Sequence, residues 1–182
     1  MSGTPVCSNC QDLDLNFEWA RASVVATPFM LEVIHRYKYS RALWYEPFLA
    51  ELLVRGFLEG GVAPDWDAIV PVPLHPARLR EREFNQAERL AERLAAVLNV
   101  PVARDWVRRV IPTRTQALLD RRQRSKNVSR AFAVTEPRRV AGRRLAVLDD
   151  VFTTGATTSA LSRVLRQTGA ESVVVWTLAR GL

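Results

Sequence analysis

Residues 145–157, LAVLDDVFTTGAT, have the residue types and the order that a sugar-phosphate site requires. The apolar residues 145–148 predict a buried parallel strand, because such strands are apolar on both faces. A loop of threonine, glycine and alanine follows, and a helical pattern begins at Ser159. Such a loop at the start of a helix offers backbone N–H groups, hydroxyls and the positive end of the helix dipole, which together can cradle a phosphate.

An adjacent acid pair, Asp149 and Asp150, lies between the predicted strand and this loop. Two carboxylates at that point can hold ribose hydroxyls, directly or through a hard divalent cation that prefers oxygen ligands. The structural alternative is a buried strand that ends in a solvated turn. A nucleotide hydrolase can also end a strand in two acids, but the chain has neither G-x-x-x-x-G-K-[ST] nor G-x-G-x-x-G. The pattern therefore favours a site that binds a sugar and its phosphate together.

The elements that must position this site alternate along the chain. Apolar residues three and four positions apart predict helices, and short apolar runs predict buried strands. This alternation favours an α/β fold with a central parallel sheet, whose ligands bind at the carboxyl ends of the strands. Strands are predicted at 22–27, 67–72, 106–111, 132–134, 145–148 and 172–178, helices at 29–37, 43–57, 84–98 and 159–167, and a mobile loop within 112–126.

Charge is the most informative part of the composition. The 182 residues predict one domain, and the net charge is +7, with 26 basic residues of which only Lys38 and Lys126 are lysines. Residues 104–144 hold twelve arginines and one lysine against three acids. This excess favours anionic partners, either polyphosphates or nucleic acid, with an ordinary solvated face as the alternative. No aromatic-interleaved motif typical of single-strand binding accompanies the arginines.

Targeting signals and cysteines give a second set of expectations. No apolar run approaches the ~20 residues of a membrane span, and residues 1–10 have no apolar signal core, so we expect a cytoplasmic protein. Cys7 and Cys10 form the chain's one C-x-x-C. A structural zinc site needs four ligands, so the pair is interpreted as half a site, with free or redox-active thiols as the alternative.

Four segments together resemble the competence protein F family of phosphoribosyltransferase-like proteins over nearly the whole chain. They are YKY at 37–39, PVPLHPARLREREFNQAERLA at 71–91, TQALLDRRQRSKNVSRAF at 115–132 and LDDVFTTGATTSAL at 148–161. Glu83 stands where the family pattern has glycine, and Arg130 where a small residue is usual. Many members also carry a four-cysteine zinc module, whose second half Cys7 and Cys10 resemble.

The resemblance implies a type I phosphoribosyltransferase-like fold: a central parallel sheet flanked by helices, with a small N-terminal hood. It implies an N-terminal segment at 1–21 with the remnant C-x-x-C, and one domain at 22–182. The hood is expected from residues before Thr27 and around 29–57, which have no recognisable base-reading pattern. Trp19, Trp44 and Tyr45 are expected to pack on the core rather than stack on a ligand ring.

The resemblance also implies a role for individual residues. Asp149 and Asp150 would hold the ribose hydroxyls of phosphoribosyl pyrophosphate and, through substrate or water, Mg²⁺. The remaining expected ligand contacts are the 5-phosphate loop (Thr153, Thr154, Gly155, Ala156, Thr157), the pyrophosphate group (Lys38, Arg78, Arg82) and a mobile segment that closes over the ligand (Gln116, Arg124, Asn127). Asn85 and Gln86 are either helix caps or ligands.

Three functions follow from the resemblance. The first is a pentosyltransferase, that is a glycosyltransferase of nucleotide metabolism, in which an acceptor nitrogen displaces pyrophosphate from the anomeric carbon. The second is a regulator that binds phosphoribosyl pyrophosphate without turnover. The third is an adaptor in DNA uptake that meets single-stranded DNA or other competence proteins.

Overall fold

The computed structural model describes residues 15–111 and 131–181. Six strands and six α-helices follow one another in these ranges, with a short 3-10 helix at Leu43–Tyr45. The strands are β1 (Ala20–Val25), β2 (Ala68–Pro71), β3 (Val107–Arg109), β4 (Phe132–Val134), β5 (Arg144–Phe152) and β6 (Ser172–Arg180). The helices are α1 (Pro28–Tyr39), α2 (Glu46–Glu59), α3 (Pro76–Arg82), α4 (Gln86–Leu98), α5 (Pro137–Val140) and α6 (Ala156–Gln167).

The central sheet has the strand order β1-β6-β5-β2, and every pair in it is parallel. Side chains alternate along β5, so that Ala146 and Leu148 enter the core on one face and Leu145 and Val147 the core on the other. Helices α1, α2 and α4 cover the first face, and α6 covers the second. The predicted α/β fold, a parallel sheet flanked by helices, is confirmed.

The segment predicted as a hood is continuous with the main core. Met30 and Tyr37 of α1 and Leu53 of α2 are buried in the same cluster as the sheet residues. Strand β1 begins at Ala20, two residues before its predicted start, and pairs with β6. The division of the chain at residue 21 stays a prediction, because residues 1–14 lie outside the described ranges.

Two elements near the predicted site differ from the sequence-based expectation. Helix α3, which follows the PVPLH residues at 71–75, is not among the helices predicted from the sequence. Pro76 begins this helix, since a proline at the first helical position costs no hydrogen bond and has a helical φ angle. Strand β5 continues through the acid pair to Phe152, and α6 begins at Ala156 rather than at Ser159.

Strands β3 and β4 form a separate antiparallel ribbon. The predicted strand at 106–111 is observed only at Val107–Arg109, and β4 has its predicted bounds. Phe132 is buried in the core on the α6 face of the central sheet, so the ribbon packs on that face.

Candidate functional site

The acid pair lies in the second half of β5, the central strand next to β2. Asp150 is 4% exposed and Asp149 is partly buried. Asp149 Oδ1 accepts a hydrogen bond from the Asp150 backbone N–H at 2.9 Å, and Asp150 Oδ1 accepts one from Val151 N–H at 3.0 Å. The Asp150 Oδ2 atom forms an ion pair with Nζ of Lys38, which comes from the end of α1.

The two carboxyl groups differ in their electrostatics. Burial acts to raise the pKa of Asp150, but the Lys38 ammonium outweighs it and holds that pKa below its ordinary value. Burial, together with the negative charge of Asp150, raises the pKa of Asp149 to about 8. Burial acts to lower the pKa of Lys38, yet Asp150 raises it above normal. Asp149 is therefore the carboxyl group whose ionisation a bound cation would favour.

A loop and a helix start form a cleft directly after the acids. The cleft is lined by Asp149 and by residues 151–158. Gly155 has a φ of 71° and caps the N-terminus of α6, so the helix begins immediately after the glycine. A Cβ atom at Gly155 would lie 2.7 Å from Cζ of Phe152, so glycine is required for the turn as well as for the contact. The first helical N–H groups have no intrahelical acceptor and are oriented for an anion.

The predicted phosphate loop is thus divided between two structures. Thr153, Thr154 and Gly155 belong to the loop, whereas Ala156 and Thr157 are the first residues of α6. Threonine has a low helix propensity, yet the helix includes Thr157 and begins three residues before its predicted start at Ser159. All five residues line the same cleft.

The three predicted pyrophosphate residues come together in a second, basic cleft. Lys38 of α1 and Arg78 and Arg82 of α3 line it, together with Tyr39, Arg41 and Glu81. Arg82 is 8% exposed, donates from Nη1 to Gln86 Oε1 and has its guanidinium carbon 4.9 Å from the centre of the Tyr39 ring. Arg78 Nη1 lies 3.2 Å from Glu81 Oε2.

A buried hydrogen-bond network holds the end of α1 beside this cleft. The hydroxyl of the fully buried Tyr37 donates to Oε2 of Glu46 at 3.2 Å. Glu46 is 4% exposed and also accepts hydrogen bonds from Arg89 and Arg93 of α4. Because Tyr37 precedes Lys38, this network fixes the helix turn from which Lys38 reaches Asp150.

Asn85 and Gln86 act as structural residues. Asn85 Oδ1 accepts from Ala87 N–H at 3.1 Å and so caps α4, and its Nδ2 donates to the Val72 carbonyl at 3.1 Å. Gln86 holds the guanidinium of Arg82. The helix cap, one of the two alternatives for this pair, is observed for Asn85.

Arg109 of β3 is a residue near the site that the sequence interpretation did not single out. Its guanidinium carbon lies 5.5 Å from the centre of the Phe132 ring. Burial lowers the pKa of Arg109, the Asp149 charge opposes this and the Arg78 charge adds to it, so Arg109 belongs to the electrostatic surroundings of both residues. In the sequence, Arg109 is one of twelve arginines in residues 104–144, and nothing in its position distinguishes it from the others.

The aromatic residues of the predicted hood divide into two groups. Trp19 packs edge-to-face on Trp176 at 6.3 Å, and Tyr45 is partly buried against the core, as expected. Trp44 is 72% exposed, so the expectation that it packs on the core is wrong. It lies in the short 3-10 helix, whose three residues include none that are buried.

Several predictions fall outside the described residues, namely Gln116, Arg124, Asn127, Cys7 and Cys10. In residues 15–111 and 131–181, no group of three or more His, Cys, Asp or Glu side chains could hold a metal ion. Nor is any helix within these ranges long and apolar enough to cross a membrane.

Similar folds occur among solved structures. Glutamine phosphoribosylpyrophosphate amidotransferase from B. subtilis, complexed with ADP and GMP, has a TM-score of 0.48 and 20% identity, over 72% of this chain and 25% of that one. Phosphoribosylpyrophosphate synthetase from Mycobacterium smegmatis has a TM-score of 0.41 and 21% identity, over 75% of this chain and 33% of that one. This chain therefore corresponds to a third or less of these proteins, and at such TM-scores the likeness says nothing about activity.

No protein-family model matches the chain. Competence protein F from Haemophilus influenzae is 34% identical over 181 residues, covering 96% of this chain and 78% of the relative. DNA utilization protein YhgH from Escherichia coli K12 is 36% identical over 171 residues, covering 90% of this chain and 74% of the relative. Competence protein ComFC from Bacillus subtilis is 32% identical over 113 residues. With a third of its residues identical to competence protein F over nearly its whole length, the chain belongs to the competence protein F family.

Proposed function

We propose that this protein binds phosphoribosyl pyrophosphate and transfers its phosphoribosyl group to an acceptor. The observation that best supports the proposal is the ion pair between Lys38 and Asp150, which holds the end of α1 against the acid pair of β5. Asp149, beside Asp150, lines the cleft of the phosphate loop, and Lys38 lines the basic cleft. A ribose on the acid pair would therefore have its 5-phosphate in the first cleft and its pyrophosphate in the second.

Each part of this ligand matches the chemistry of the residues around it. Ribose hydroxyls are donors, and the carboxylates of Asp149 and Asp150 are acceptors. The N-terminus of α6 and the threonine hydroxyls suit a phosphate dianion. A guanidinium group can donate two parallel hydrogen bonds to the oxygens of one phosphate, and Arg78 and Arg82 supply two guanidinium groups.

The carboxylate pair fits Mg²⁺ only in the presence of substrate oxygens. Mg²⁺ prefers near-octahedral oxygen ligation and is commonly held by one or two carboxylates plus phosphates and water. The described chain offers two adjacent carboxylates and no third acid at this point. Asp149 would hold the ion, directly or through water, because Asp150 is engaged by Lys38. When bound, Mg²⁺ would neutralise the negative charge of the leaving pyrophosphate.

The chain's own residues would act by positioning and by electrostatics. The bond between the anomeric carbon and the pyrophosphate oxygen breaks, and the acceptor nitrogen forms the new bond to that carbon. Arg78, Arg82 and Lys38 would stabilise the charge that develops on the leaving pyrophosphate. The carboxylates of Asp149 and Asp150 would favour the electron-poor ribose ring.

The experiment compares the wild type with the Asp149→Asn, Asp150→Asn double variant. Calorimetric titration with phosphoribosyl pyrophosphate and Mg²⁺ should show binding by the wild type and none by the variant. A double variant of two exposed acids, Asp65→Asn with Asp105→Asn, makes the same change in charge and should bind normally. Unchanged affinity in the site variant would overturn the proposal. Release of pyrophosphate with a panel of nucleobases then separates a transferase from a regulator without turnover.

A second candidate function is the handling of single-stranded DNA. Two relatives are named for competence and for DNA utilization, and the chain has a net charge of +7. Arg138, Arg139 and Arg143 are exposed around α5 and could contact a phosphate backbone. The test is the binding of fluorescent single-stranded DNA at several salt concentrations by the wild type and by a variant with glutamine at these three positions. An unchanged affinity and salt dependence would exclude this surface.

A further inference from the structure

The segment of residues 15–19, which precedes strand β1, contacts the elements of the phosphate cleft from outside. None of its residues is among those that line the cleft. Two backbone hydrogen bonds attach the segment to β6: the Glu18 N–H donates to the Val173 carbonyl at 2.9 Å, and the Val175 N–H donates to the Trp19 carbonyl at 3.0 Å. All of its residues except Glu18 are partly buried, so the segment is packed on the domain.

Phe17 contacts the aromatic residue that lies under the turn of the phosphate loop. The ring centres of Phe17 and Phe152 are 6.2 Å apart at an interplanar angle of 76°, the edge-to-face geometry that aromatic pairs favour. Phe152 is 4% exposed and lines the phosphate cleft, and its Cζ lies 2.7 Å from the position of a Cβ atom at Gly155. The Phe152 ring therefore contacts both Phe17 and the turn of the loop.

Asn16 holds the first turn of α6, the helix that begins at the phosphate loop. Its backbone N–H and its Nδ2 each donate to Oγ of Ser159 at 3.1 Å. Ser159 is 7% exposed, and its own N–H donates to the Gly155 carbonyl at 2.8 Å. Asn16 is thus connected through one residue to the glycine that caps the helix.

Two consecutive residues of one segment reach Gly155 by separate routes, Phe17 through Phe152 and Asn16 through Ser159. Burial of apolar surface accounts for the position of Phe17, but it does not account for the two donors that Asn16 directs at one hydroxyl. A phosphate binds most tightly when the N–H groups at the start of α6 are already oriented, because ordering them on binding costs affinity. Contacts that hold the loop from outside the cleft supply this order.

We infer that Asn16 and Phe17 are positioning residues of the phosphate loop, through which the segment 15–19 sets the affinity of the loop for a phosphate group. The inference rests on the proposed function for the identity of the ligand as a sugar phosphate. Coupling between two sites is reciprocal, so a bound phosphate must strengthen the attachment of the segment by the factor that the attachment adds to phosphate affinity. This reciprocity distinguishes positioning from a contribution to stability alone.

The first experiment titrates ribose 5-phosphate calorimetrically into the wild type and three variants. Phe17→Ala should bind about fivefold more weakly, since an edge-to-face pair contributes up to about tenfold to an equilibrium constant. Phe17→Tyr keeps the ring and should bind like the wild type. Asn16→Ala removes the side-chain donor and should bind about threefold more weakly, which is the contribution of one neutral hydrogen bond.

The matched control is Trp19→Ala, in the same segment. Trp19 makes an edge-to-face contact with Trp176 at 6.3 Å and packs against the core on the other face of the sheet from Phe17. Trp19→Ala should therefore lower the melting temperature and leave the affinity for ribose 5-phosphate unchanged.

The second experiment measures hydrogen exchange by NMR. Saturating ribose 5-phosphate should slow the exchange of the Asn16 and Glu18 amides in the wild type, and it should leave unchanged the Val100 amide, which donates to the Ala95 carbonyl after α4. In the absence of ligand, Phe17→Ala should speed the exchange of the Ser159 amide, because the first turn of α6 is then held less firmly.

Any of four results would overturn the inference: unchanged affinity in Phe17→Ala or in Asn16→Ala, a loss in Phe17→Tyr as large as in Phe17→Ala, an equal loss in Trp19→Ala, or exchange of the Asn16 and Glu18 amides that the ligand does not slow. The proposed function fails separately, if ribose 5-phosphate does not bind to the wild type at all. In that case, faster exchange of the Ser159 amide in Phe17→Ala would support the positioning of the loop, and unchanged exchange would remove both.

Discussion

Lys38 and Asp150 form a buried ion pair that ties the end of helix α1 to the central strand β5. The side chain of Lys38 is 18% exposed and that of Asp150 is 5% exposed. Removing one partner of such a pair leaves the other charge buried without compensation, which costs more than the pair itself contributes. The pair therefore has two effects: it keeps Asp150 ionised, and it holds the end of α1, which lines the basic cleft, against β5.

Lys38→Met is expected to lower the free energy of unfolding by about 3 kcal/mol, because Asp150 remains as an unpaired buried charge. Unfolding in urea measures the loss. Arg36→Met removes an exposed pair with Glu32 on the same helix and should leave the free energy of unfolding nearly unchanged.

A double-mutant cycle with Asp150→Asn tests the pairing itself. We expect a coupling energy of about 2 kcal/mol between the two positions. If the losses in free energy of unfolding of the two single variants sum to that of the double variant within about 0.5 kcal/mol, the two side chains do not interact.

The raised pKa of Asp149 predicts a pH-dependent stability. This pKa is about 8 in the folded protein against an ordinary value of 3.8, so the unfolded chain ionises first as pH rises. Stability should fall between about pH 4 and pH 8 and level off above that range, because both states are then ionised. The pKa of Asp150 is lowered by folding, so the ionisation of Asp150 changes the stability only at pH values below this window.

Asp149→Asn removes this titration and should therefore raise the melting temperature. The increase over the wild type should grow from pH 5 to pH 8 and then stay constant, as measured by circular dichroism. Asp105→Asn, which changes an exposed acid, should show no such trend. An increase independent of pH would mean that Asp149 is ionised throughout the range.

Gly155→Ala is expected to reduce both stability and phosphate binding. Alanine is strained at a φ of 71°, and its Cβ would displace the buried ring of Phe152, so the cost should be about 2 to 3 kcal/mol. Losing one hydrogen bond to a charged phosphate would weaken ribose 5-phosphate binding about tenfold. Gly61→Ala is the control, since Gly61 has a φ of 62° with no atom near the added Cβ, and it should lose about 1 kcal/mol with unchanged binding. If both variants lose the same stability and the same affinity for ribose 5-phosphate, the contact with Phe152 has no role.

Glu83→Gly is expected to stabilise the protein by about 0.5 to 1 kcal/mol. Glu83 ends α3 with a φ of 69°, a conformation that costs a side-chain-bearing residue about 1 kcal/mol or more. Its pair with Arg41 at 2.9 Å is exposed and offsets little of this. Glu81→Gly, within the same helix, should instead destabilise by about 1 kcal/mol, and thermal unfolding of both variants checks the signs. A loss of stability in Glu83→Gly would show that the Arg41 pair outweighs the backbone strain.

Features that depend on neighbours in the chain could be predicted from the sequence. The apolar run before Asp149 indicates a buried parallel strand, and β5 is that strand. The 3.6-residue pattern of 84–98 indicates helix α4, whose start at Gln86 follows from the Asn85 cap. Glu83 stands where the family pattern has glycine, and its positive φ explains the glycine.

What only the tertiary structure decided is which distant residues meet. Helix α1 packs on the core through Met30 and Tyr37, and this packing brings Lys38 to Asp150 and places the end of the helix in the lining of the basic cleft. The ribbon of β3 and β4 likewise brings Arg109 into the field of Asp149. Spacing along the chain does not encode these contacts, because they arise from the burial of apolar faces between elements. The sequence thus determined the parts of the site, and the packing of α1 against the sheet decided how they come together.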